Sequence, residues 1–95
     1  TFWNRMVGLL GRSTPLRPGE AVIIKPCNCV HTLFMRFPID CLFVDKHNRI
    51  IKTIPRLQPF RVTPLYFSSS LVIELADGAI DSSATRPGDT LLFAP

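Results

Sequence analysis

Apolar residues come along this chain in short runs, each closed by proline, glycine or a polar cluster, and the spacing within each run predicts its form. In FWNRMVGLLG, residues 2–11, Phe2, Met6, Leu9 and Leu10 recur at helical spacing, with Asn4 as a cap and Gly11 as a stop, so a helix of about two turns is expected. The turn LRPGE leads into AVIIK, a short buried strand ended by Pro26. TLFMRF reads as extended and, past Pro38, the unbroken apolar run of IDCLFVD predicts a strand covered on both faces. KHN forms a hairpin loop before the strand RIIKTI. The Pro-rich PRLQPFRVTP can cover an edge but cannot sit in a central strand.

In SSSLVIEL, Leu71, Ile73 and Leu75 face one way while Ser70, Val72 and Glu74 face the other. Asp77 and Gly78 start a helical turn through Ala84 with Asp77 as its N-cap, and Arg86-Pro87-Gly88-Asp89 turns the chain into a last strand, TLLFA. The sum is a mainly β (α+β) fold, a small curled sheet or barrel of about five to seven short strands with two short helices. With no repeat, linker or low-complexity tract, residues 1–95 are expected to form a single domain.

Composition narrows the function classes. At 95 residues, 46% apolar and 19% charged, the chain is globular in character, and burial of roughly two thirds of its unfolded surface makes disulfide or metal staples unnecessary. The net charge of +4 is spread without a Lys/Arg run, which argues against a nucleic-acid partner. Three cysteines cannot all pair and do not show a secreted disulfide spacing, so a reducing, cytoplasmic location is expected, although a start at Thr1 leaves room for a trimmed signal or anchor. No apolar run approaches the ~20 residues of a membrane helix, so no membrane span is expected and the chain reads as soluble.

The richest chemistry lies in PCNCVHTLFMRFPID, residues 26–40. Cys27, Cys29 and His31 alternate as on one face of a strand, where the first and last are about 13 Å apart at ~3.3 Å per residue. Zinc needs its ligands within about 2.0–2.3 Å, so only a turn at Cys27-Asn28, with Cys41 as fourth ligand, would make a metal site. No metal and no cofactor is expected. Cys27 or Cys29 with His31 also supplies the types for a nucleophile and its base, but no nucleophile signature surrounds them.

A third reading concerns His31, Arg36 and Asp40, set among Leu33, Phe34, Met35, Phe37 and Ile39. Such charges must be paired or must border a cavity: they form either a structural pair or capping carboxylate at the Pro38 bend, or a pocket for an anionic or polyhydroxylated ligand. Glu74 is either solvent-facing or turned into that pocket. Trp3 fits a core position better than a ligand anchor, and Arg56, Phe60 and Arg61 are too few for a nucleic-acid stacking platform. There is no Gly-rich phosphate loop and no H-E-x-x-H motif, and Ser68, Ser69 and Ser70 read as loop.

Four pieces, RMVGLLGR at 5–12, PCNCVHTLFMRFPIDCLFVD at 26–45, LVIELADG at 71–78 and RPGDTLLF at 86–93, resemble the DUF192 family of small bacterial and archaeal proteins, in the branch with an HT-x-FMRFPID core. Matching positions include Arg5, Gly8, Leu9, Cys27, His31, Thr32, Met35, Arg36, Pro38, Asp40, Glu74, Gly78, Gly88 and Asp89. Leu33, Cys41 and Ala76-Asp77 depart from the pattern, the last implying a differently capped helix. The resemblance implies a small β-rich domain and supplies no activity. The combined expectation is a non-catalytic binding module for a small polar or anionic ligand, a sugar or a partner peptide, contacted by Cys27, His31, Thr32, Met35, Arg36, Asp40 and Glu74. The competing expectation is a small enzyme using the His31/Arg36/Asp40 cluster or a Cys27–His31 pair for hydrolysis or redox chemistry, and a third is a structural accessory acting through a sheet edge.

Overall fold

The computed structural model describes residues 16–26, 28–30 and 36–91. Four strands form one antiparallel sheet: β1 (Ala21–Ile24), β2 (Ile39–Val44), β3 (Ile50–Leu57) and β4 (Leu71–Ala76), in the order β1-β4-β2-β3. The class is mainly β. Among the described residues the sheet curls without closing, with β1 and β3 at its two edges, so the barrel alternative does not hold for them. Among the described residues there is one helix, α1 (Ala79–Ser83). The expected helix at 2–11, the 32–35 part of TLFMRF and residues 92–94 of the last strand lie outside the described residues. Within them, that last strand is represented by one isolated bridge, Arg49 with Thr90.

All six residues of β2 are buried, which is the doubly covered strand its apolar run predicts. Direct partners in an antiparallel ladder share a face, so Ile39, Cys41 and Phe43 look to one side with Val72, Glu74 and Ala76, while Asp40, Leu42 and Val44 look to the other with Leu71, Ile73 and Leu75. Leu16, Val30 and Phe37 pack on the first face, and Ile80 of α1 packs on the second. The alternation read in LVIEL is thus the partition of the core into two layers.

The β2–β3 hairpin turns at Asp45, whose Oδ1 accepts the His47 and Arg49 N–H groups at 2.8 and 2.9 Å. Asn48 takes the left-handed conformation there (φ 61°), for which Asn is among the best-suited L-residues. β3 runs two residues past Pro55, farther than the proline predicts, and it does so as an edge strand with a bulge. Ile39 pairs with Leu57 and Cys41 with Ile54, so Pro55 and Arg56 together oppose Asp40.

The loop from Gln58 to Ser70 returns across the first face. Thr63 N–H donates to the Val30 carbonyl (2.8 Å), Val30 N–H donates to Thr63 Oγ1 (2.9 Å), and Tyr66 N–H donates to the Asn28 carbonyl (2.8 Å). Tyr66 meets Phe43 with ring centroids 4.5 Å apart. Thr63→Val keeps the shape but leaves the buried Val30 N–H without its acceptor, so a loss of about 1–2 kcal/mol is expected in urea unfolding. Thr63→Ser should keep most of the stability.

Candidate functional site

Asp40 is fully buried, and its carboxylate is spent on backbone. Oδ1 accepts the N–H of Arg56 in the bulge (2.9 Å) and of Gly78 (3.3 Å), and Oδ2 accepts the N–H of Ile80 in α1 (2.7 Å). The helix is therefore capped from β2. Its N-cap position is Gly78, left-handed at φ 91°, and the expected cap Asp77 instead meets Arg56 Nε at 3.2 Å in a largely exposed ion pair. The Asp–Gly pair pointed to a helix start, but β2–β4 pairing delivers a better carboxylate to the same N–H groups.

Glu74 lies on the other face. It is 2% exposed, flanked in register by Val22 of β1 and Cys41 of β2, and set among the first cluster's apolar side chains. Burial pushes its carboxyl up to about 7, and its Oε2 has no hydrogen-bond partner among the described residues. A solvent-facing role is thereby removed.

The sheet thus separates Asp40 from Glu74 instead of joining them in one pocket. Arg36 is exposed, three residues before β2. Cys27, His31, Thr32 and Met35 lie outside the described residues, while Val30 and Phe37, the nearest described residues before His31 and after Arg36, both belong to the first-face cluster. Cys29 is half-buried and Cys41 buried. Among the described residues no three His, Cys, Asp or Glu side chains gather as for a metal ion, and no helix is long and apolar enough to cross a membrane. Sequence reasoning weighed Cys41 as a candidate fourth ligand and as a member of the buried run IDCLFVD; its place beside Glu74 depends on strand register, for which no local signal exists.

The DUF192 family model, described as "Uncharacterized ACR", matches residues 1–93. The chain belongs to the DUF192 family. Two solved structures resemble this DUF192 chain. A protein of unknown function from Novosphingobium aromaticivorans DSM 12444 superposes with TM-score 0.83 at 21% identity, over 98% of this chain and 70% of that one. A putative transcription regulator from Sinorhizobium meliloti 1021 superposes with TM-score 0.80 at 19% identity, over 93% of this chain and 72% of that one. At such identities the likeness concerns the DUF192 fold alone. No curated protein matches the chain.

Proposed function

We propose that this DUF192 domain is a non-catalytic binding module for a small polar ligand, a sugar or another hydroxyl-rich molecule, seated on the Glu74 face beside the His31–Arg36 segment. The observation that carries this reading is the buried Oε2 of Glu74 without a partner among the described residues. Burying a polar group unpaired is costly, so a carboxyl kept there suits a partner that arrives from outside. With its pKa near 7 it is both acid and carboxylate at neutral pH, able to donate to or accept from a hydroxyl.

In this reading Cys27, His31, Thr32 and Met35 complete the site, Arg36 supplies a fork of donors at the rim for any anionic substituent, and Asp40 supports the sheet from behind. An enzymatic reading would employ the same carboxyl as a general acid–base, for which a pKa near 7 is well placed. It differs by requiring product to appear from the bound molecule.

The test is a thermal-shift screen of the domain against sugars, polyols, small carboxylates, nucleotides and divalent metals. A ligand at about 100 times its Kd adds about 2.7 kcal/mol to stability. A sugar or polyol that raises the melting point, is weakened roughly tenfold by Glu74→Gln and persists unchanged in composition supports the module. Silence across the panel, or a hit indifferent to both Glu74→Gln and Arg36→Ala, overturns it.

A further inference from the structure

The return loop carries a second, independent feature. Thr63 is buried and Tyr66 packs inward on Phe43, whereas the residues around them point out: Phe60 is 69% exposed, Val62 65%, Leu65 54% and Phe67 85%. Because the Thr63–Val30 and Tyr66–Asn28 hydrogen bonds pin the loop, this apolar crest is a built surface and not a frayed end. Large apolar side chains clustered in water mark an interaction site.

Along its stretch of chain the charges are of one sign, with Arg56 paired to Asp77 from outside that stretch. From Lys46 to Ser70 the chain holds Lys46, Arg49, Lys52, Arg56 and Arg61 and not one Asp or Glu. Apolar side chains flanked by cations match the interface of an anionic bilayer, where the rings and branched chains leave water and the cations meet lipid phosphates. We propose that this crest docks the domain peripherally on an anionic lipid membrane. Other occupants fit less well. Pro55, Pro59 and Pro64 remove donors that an added partner strand would need, and Val62 and Leu65 offer no face on which nucleic-acid bases stack.

Cosedimentation of the whole domain with phosphatidylcholine vesicles, with and without phosphatidylserine, tests this. The wild type is expected to pellet with the phosphatidylserine vesicles and to be released by salt, since surface attraction is screened within a Debye length. The double variant Phe60→Ser/Phe67→Ser should bind roughly tenfold or more weakly while keeping the wild-type urea midpoint, because both rings are exposed in the fold. Lys52→Glu/Arg61→Glu should remove the preference for phosphatidylserine. Wild-type protein left in the supernatant, or equal binding by the double variant, overturns the proposal. Concentration-dependent light scattering abolished by Phe60→Ser/Phe67→Ser, without vesicle binding, overturns it in favour of a contact between copies.

Discussion

Asp40→Ala is expected to lower the unfolding free energy by roughly 4 kcal/mol, because it strands three backbone donors at once, that of Ile80 in the interior. Hydrogen bonds to a carboxylate are stronger than neutral ones, and the Oδ2 bond at 2.7 Å also anchors the first turn of α1. Asp40→Asn should recover about half of the loss, since one oxygen still accepts while the amide NH2 faces a donor. Urea midpoints at constant m-value measure both. A loss below about 1 kcal/mol for Asp40→Ala would refute the capping role. The capping role also predicts that ligand affinity, measured well below the melting point, changes little in Asp40→Asn.

Stability of the wild type is expected to fall as pH rises from about 5 to 8, by roughly 3 kcal/mol in total, through Glu74. Its carboxyl sits near 7 when folded against an ordinary value of 4.5, so the folded state holds the proton more tightly. Below the ordinary value both states are protonated and nothing is lost. Through the interval the folded state must either keep a proton that solvent no longer supplies or bury a charge, and above the folded value the loss is complete. Glu74→Gln removes this dependence, so the variant should match the wild type near pH 4 and exceed it at pH 8 by about the same 3 kcal/mol. Taking the difference between the two proteins cancels the histidines. Asp45 acts in a separate window: the Arg49 N–H, with the His47 N–H and nearby charges, holds its carboxyl low, so its contribution is lost only as pH falls into the acid range. Parallel pH profiles for wild type and Glu74→Gln would contradict the buried, raised carboxyl.

Much of the fold was legible where a pattern is local. The apolar run of β2 announced cover on both faces, the alternation in LVIEL announced which side chains share a face, and Lys46-His47-Asn48 announced a hairpin loop. What escaped were features set by distant partners. Pro55 reads as a strand stop, yet β3 continues because the bulge turns the Arg56 N–H toward Asp40. Asp77 reads as the helix cap, yet Asp40 arrives from elsewhere in the sheet. Asp40 and Glu74 were expected in one site, but the pairings Asp40 with Leu75 and Cys41 with Glu74 place them on opposite faces, and a register is not visible before strands are paired. Glu74 itself was recognisable as an acid on an apolar strand; its burial became clear only once the return loop covered that face. Sheet closure likewise depends on whether the edge strands meet, which no local pattern encodes.

The strand order also dictates a sequence of events in time. The hairpin of β2 and β3 needs only a short turn to form, so it can assemble early, and β4 can then dock on β2. Among the described residues β1 pairs only with β4, which lies far along the chain, Ala21 pairing with Leu75. During synthesis from the N-terminus, β1 is therefore made before the other three described strands yet must wait for its ladder until β4 has emerged.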